Sequence, residues 1–234
     1  MTNITLYEYA LLSEDVYYPD KQPILPQLSV LGWSRFSQFV HADFHDSFFA
    51  RLYEQIVSQQ YVIAFRGTLL TKPGTWLADF QYGIHKRPAM AQKAEDFFWN
   101  AYQYLKTQPG FNSSKLSLTG HSLGGMLAKI IGLDFNIHAV AFNSPGVANL
   151  QTNVSLPTHS NILNVNSKEG KINKIGQSVG DQVQVSVSQG NLACEIANII
   201  KLPVEETRCI YEKHNVENLV QAIESTPKVA QIRF

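Results

Sequence analysis

The sequence predicts an α/β protein: a mainly parallel central sheet, an antiparallel strand meander at its N-terminal side, and helices on both faces. Three observations carry that expectation. After residue 110, strand-like and helix-like segments alternate, which implies parallel strands joined by right-handed crossovers. Before it, residues 33–44, 48–56 and 59–66 are β-rich, partly alternating runs, as in a meander of neighbouring antiparallel strands. Finally, 234 residues with 44% apolar content suffice for one domain over 1–234 with a core that needs no staples.

Taken in chain order, residues 5–18 place Leu6, Tyr9, Ala10, Ser13, Val16 and Tyr17 at helical spacing, so an amphipathic first helix is expected. Pro19 to Pro26 reads as loop, and the three meander strands follow. Residues 90–108 carry the helical stripe Ala94, Phe97, Phe98, Ala101 and Tyr104, which Pro109-Gly110 stops. A strand at 115–119, a helix at 123–134, and strands at 138–143 and 161–166 come next. The valine-serine alternation of 182–188 makes one more strand, 191–201 a short helix, and 215–224 a last one. No internal repeat, low-complexity tract or linker interrupts this order.

Composition narrows the function. Nineteen basic and nineteen acidic side chains leave zero formal charge, so nothing favours nucleic acid or an anionic membrane surface electrostatically. The N-terminal stretch has no basic start and carries Glu8, Glu14 and Asp15. It does not read as a signal peptide, and no apolar run approaches a membrane span. The expectation is a soluble cytoplasmic protein, with export by a route that needs no N-terminal signal left open. Without a secretion signal, Cys194 and Cys209 read as reduced thiols rather than a disulfide.

The most informative residues are Gly120-His121-Ser122-Leu123-Gly124-Gly125, between the apolar run KLSLT and the helical MLAKIIGL. A glycine-flanked serine in a strand-to-helix turn is the G-x-S-x-G nucleophile elbow of α/β-hydrolases. The tight turn lifts the Ser122 hydroxyl above the carboxyl edge of the sheet. It also aims the first amides of the next helix at any oxyanion formed there. The competing reading is a glycine-rich turn with serine as helix N-cap.

Acyl transfer further needs a base, a group that orients it, and oxyanion donors. In α/β-hydrolases the chain order is serine, acid, histidine. His138 starts an apolar strand, at the wrong end, and His159 precedes the strand expected to carry the acid. His214, in a loop opening the last helix, is the candidate base. Asp134 lies at the far end of the helix after the elbow. Glu169, just past the strand ending near Asn166, is the candidate acid, with Asp181 as the alternative. Upstream, YVIAFRGT ends an apolar strand at Gly67-Thr68, so the Thr68 amide joins that of Leu123 as an oxyanion donor. Arg66 reads as a structural cation with Asp79 as partner. His41, Asp43 and His45 lie on one face of a strand, but no fourth ligand follows from nearby spacing, so the face reads as exposed polar surface.

FRGT, TWLADF, GHSLGG and AFNSPGV together resemble the class 3 lipases, the fungal lipase-like α/β-hydrolases, and YALLSEDVYY is similar to that family's first helix. The resemblance spans residues 5 to 222. It implies Ser122 as nucleophile, His214 as base, and Thr68 with Leu123 as oxyanion hole. It also implies that Leu69, Leu70, Trp76, Leu77 and Phe80 form a lid or acyl-binding wall. One departure stands out: fitting Ile172 and Gly176 to the family's pattern puts Gly170 where the catalytic aspartate belongs, with Glu169 one residue early.

The expected function is a serine carboxylic-ester hydrolase acting on acyl glycerols or phospholipids, with no metal or organic cofactor. Its expected partners are a lipid or other acyl-ester substrate, with transient contact at a membrane surface and no nucleic acid. The alternatives are a catalytically impaired hydrolase fold acting as a binding module, and a serine acyltransferase or thioesterase.

Overall fold

The computed structural model describes residues 3–42, 48–67, 87–150, 161–168, 170, 172–187 and 215–233. In chain order these hold α1 (Leu6–Asp15), α2 (Pro26–Val30), β1 (Trp33–Ala42), β2 (Phe49–Gln55), β3 (Gln60–Phe65), α3 (Met90–Leu105), β4 (Leu116–His121), α4 (Leu123–Phe135), β5 (His138–Phe142), β6 (Ile162–Ser167), β7 (Asp181–Val185), α5 (Val216–Glu224) and α6 (Pro227–Ala230). The expected elements at these places are present, with ends shifted by a few residues. The helix expected at 191–201 lies outside the described residues.

The strands form one seven-stranded sheet in sequential order. β1, β2 and β3 pair antiparallel, and every pairing from β3 to β7 is parallel. The register of β1 against β2 shifts between Arg35 and Val40, an irregularity in the edge strand. Strand residues then split by parity between two cores. Ile63, Phe65, Leu116 and Leu118 pack with Phe97, Phe98, Leu127 and Ile131 from α3 and α4. Val62, Ala64, Val140, Phe142 and Val165 pack on the other side with Leu6, Tyr9 and Leu12 of α1 and Leu219 and Ile223 of α5. The molecule is thus three layers, helix on sheet on helix. Among the described residues no helix is long and apolar enough to cross a membrane.

Polar interactions fix α1 in place. Its start is a reciprocal cap: Thr5 Oγ1 accepts from the Glu8 amide at 3.3 Å, and Glu8 Oε2 accepts from the Thr5 amide at 2.8 Å. At its end the fully buried Asp15 carboxylate accepts from Arg35 Nε at 2.7 Å, Tyr53 Oη at 2.8 Å and the Leu25 amide at 2.9 Å. Buried charge is tolerable when its lone pairs are served in this way. Along its length, α1 runs beside β4 with three polar rungs: Tyr9 Oη to Ser117 Oγ at 2.8 Å, Ser13 Oγ to Thr119 Oγ1 at 2.8 Å, and, just past the helix, Tyr17 Oη to His121 Nδ1 at 3.1 Å. Four helical residues rise ~6 Å and two strand residues ~6.6 Å, so side chains spaced i, i+4, i+8 match strand positions i, i+2, i+4.

Candidate active site

β4 delivers the chain to Ser122 at the carboxyl edge of the sheet, and α4 leaves from Leu123. Ser122 has φ 58° and ψ −124°, a conformation that side chains avoid. The turn is held by bonds on both sides: the Ser122 amide donates to Phe142 O at 2.9 Å, and the Met126 amide donates to Ser122 O at 3.1 Å. The glycines around it admit the close packing that the tight turn needs. A β carbon on Gly120 would stand 2.7 Å from Phe65 O, and one on Gly124 2.7 Å from Phe65 C and 2.8 Å from Arg66 C. The end of β3 therefore lies directly on the elbow, as a hole shared by the two segments requires. The N-terminus of α4 points its first free amides, Leu123 included, to the same edge.

The residue before Ser122 and the residue at the end of the β3 exit meet one side chain. The Gly67 amide donates to Tyr17 Oη at 3.1 Å, while Tyr17 Oη is 3.1 Å from His121 Nδ1. Arg66, beside Gly67, lays its guanidinium over the Phe49 ring at 4.8 Å, and burial pulls its pKa down. By their spacing, Tyr9, Ser13 and Tyr17 lie on one packing stripe of the expected helix. Their shared i, i+4 spacing was the available signal, but nothing in it reveals that hydroxyls meet hydroxyls across the interface.

At the neighbouring strand ends, Asn143 follows β5 with φ 43°, and its Oδ1 accepts from the Ser167 amide at 2.7 Å. Gly170 explains its own identity, since a β carbon there would stand 2.7 Å from Ser167 Oγ and 3.1 Å from Asn173 Oδ1. An aspartate at that position would need the Ser167 and Asn173 side chains to shift.

Ser122 and Leu123 are found together at the elbow. Thr68, His214 and Glu169 lie outside the described residues, as do Leu69, Leu70, Trp76, Leu77, Phe80, Asp79, His159, Cys194, Cys209, Asp43 and His45; of His41 only the backbone is described. Asp181 is described, and it opens β7 rather than following a strand. Through Leu163 and Val140 it is level with Thr119, three residues before Ser122. That is roughly 10 Å along the strands and roughly 14 Å across them, with an exposed side chain. This placement counts against Asp181 as the orienting acid. Asp134 points away as expected and pairs with Arg87 at 2.7 Å. His138 opens β5 at the opposite edge from Ser122. A cavity of about 250 Å³ lined by Phe98, Trp99, Tyr102 and Phe135 sits at the far end of α4, roughly 20 Å from the elbow, and plays no part in the site.

Similar architecture is found in solved lipases. The chain superposes on Lip2 lipase from Yarrowia lipolytica with TM-score 0.54 at 15% identity, covering 77% of either chain. It matches the Rhizomucor miehei triacylglyceride lipase with TM-score 0.55 at 12% identity, covering 76% of this chain and 78% of that one. A triacylglycerol lipase from Penicillium expansum gives 0.52 at 13% identity, over 77% and 78%. Such identities show the fold, an α/β-hydrolase fold of the lipase kind. Comparison with curated proteins gives no match. The sequence profile of the Tle-like phospholipase domain, described as phospholipase-like, matches residues 8–216, and the chain belongs to that family.

Proposed function

We propose that the protein is a serine hydrolase of lipid esters, acting on phospholipids or acyl glycerols through an acyl-enzyme. The observation that carries this reading is the strained Ser122, held at the carboxyl edge of the sheet with a helix N-terminus behind it and the β3 exit pressed against it. Membership of a phospholipase-like family supports the substrate class.

In the proposed reaction His214 removes the Ser122 proton as Oγ bonds to the ester carbonyl carbon. The carbonyl electron pair moves onto oxygen, and the amides of Leu123 and Thr68 stabilise it; one such donor contributes about 3 kcal/mol. Collapse expels the alcohol, which takes the proton from His214. Water, deprotonated by the same imidazole, then releases the fatty acid and restores Ser122. Glu169 orients the imidazole. Leu69, Leu70, Trp76, Leu77 and Phe80 supply the apolar wall that admits an acyl chain at a lipid surface.

Labelling by a fluorophosphonate, together with fatty-acid release from phosphatidylcholine vesicles, tests the reading. Ser122→Ala and His214→Ala should abolish both, and Glu169→Gln should lower turnover. A parent protein that folds, yet neither labels nor releases fatty acid, overturns the proposal. That outcome would favour a second reading, a hydrolase fold used as a binding module, which the occupation of the usual acid position by the crowded Gly170 supports.

A further inference from the structure

We infer that Tyr17 is a positioning residue for the oxyanion hole, clamping the β3 exit to the nucleophile elbow. The proposal rests on the hydrolase reading above and adds to it a residue that neither the elbow nor the β3 motif contains.

The geometry is specific. One phenol oxygen accepts the Gly67 amide proton at 3.1 Å and shares a hydrogen bond with His121 Nδ1 at the same distance. The two segments it joins are the two that must supply oxyanion donors. His121 precedes Ser122 and Leu123, and the Gly67 carbonyl carbon is bonded to the Thr68 nitrogen. They are already as close as their atoms allow: a β carbon on Gly67 would stand 2.6 Å from His121 O and 3.2 Å from Ser122 Cβ. Close packing alone fixes separation but leaves the peptide free to rotate about its neighbours. A hydrogen bond to the Gly67 N–H fixes that rotation, and with it the starting direction of the next peptide.

The clamp is itself anchored. Tyr17 follows α1, and the rungs at Tyr9–Ser117 and Ser13–Thr119 hold the helix in register with the strand that ends in Ser122. Asp15, two residues earlier, ties the same end of the helix to Arg35 and Tyr53. The phenol is thus presented from a rigid base, which the alignment of a preorganised donor pair requires. In this role Tyr17 acts through Gly67 and His121.

The test compares Tyr17→Phe with Tyr9→Phe in the full chain. Both remove one hydroxyl from the same ladder, and only the first removes it from the elbow. kcat and KM are measured on a soluble short-chain nitrophenyl ester, and hydrogen exchange is followed at the Gly67 amide. Tyr17→Phe should lower kcat roughly 10- to 100-fold, the scale set by misaligning one oxyanion donor, with KM nearly unchanged. The Gly67 amide should exchange at least about tenfold faster, and Tyr9→Phe should keep kcat within about twofold. Unchanged kcat in Tyr17→Phe, equal losses in both variants, or a loss confined to KM would each overturn the proposal. If the parent itself is inert toward ester and fluorophosphonate, the hydrolase reading fails. Gly67 exchange then decides the clamp alone: acceleration in Tyr17→Phe supports it and unchanged exchange overturns it.

Discussion

Lys129 offers the sharpest test of the energetics in this fold. It lies on α4, fully buried, and its Nζ donates to Pro145 O and, at 3.1 Å, to Asn164 Oδ1. Both acceptors are neutral, and two N–H groups suffice to serve them, so the uncharged amine meets every demand of the site. Burial accordingly pulls its pKa from 10.5 to about 7. Between those values the unfolded chain carries a proton that the folded chain does not, so stability rises with pH across the window. The full window corresponds to about 5 kcal/mol, and the part between pH 7 and 9 to about 2 kcal/mol. Lys129→Met removes the titration and keeps most of the volume. Urea unfolding of parent and variant at both pH values cancels the contribution of every other group. The parent should gain about 2 kcal/mol on the variant from pH 7 to 9. A gap that stays constant would mean the amine is charged throughout, and the desolvation reasoning would be refuted.

Other expectations follow from single contacts. Ser122→Gly relieves the strained φ of 58° and should raise unfolding free energy by about 1 kcal/mol while abolishing fluorophosphonate labelling; lower stability in urea would contradict the strain. Gly124→Ala drives a methyl group into the Phe65 carbonyl and should cost about 3 kcal/mol or more, read as a fall in melting temperature or loss of soluble protein. Burial, with repulsion from Glu217, pushes the Glu14 carboxyl up to about 7. Between pH 4.5 and 7 the folded chain holds a proton the unfolded chain has lost, so the parent weakens as pH rises. Glu14→Gln should therefore gain about 1 kcal/mol on the parent across that interval, after screening at a partly exposed site, and equal urea midpoints at both ends would contradict this.

Local chemistry decided what could be foreseen. β3 and β4 are runs of apolar and β-branched residues bounded by glycine, α3 carries a stripe that ends at Pro109-Gly110, and the elbow motif has one geometry available to it. Those signals are contained within a dozen residues each, so the parallel sheet and the place of Ser122 were legible. Asp181 shows the limit. The strand expected at 182–188 already follows it, but only the parallel pairing of β7 with β6 shows that its start lies at the edge of the sheet away from Ser122.

The amino-acid sequence by itself determined the layered α/β architecture, the meander, and the strained Ser122 between β4 and α4, because periodicity and glycine placement act over short range. Only the tertiary structure decided that Tyr17 reaches Gly67 and His121, and that Lys129 has two neutral acceptors. Each of those depends on atoms brought together across the sheet from segments that no sequence spacing relates. Distance in space, rather than distance along the chain, governs hydrogen bonding, desolvation and steric exclusion.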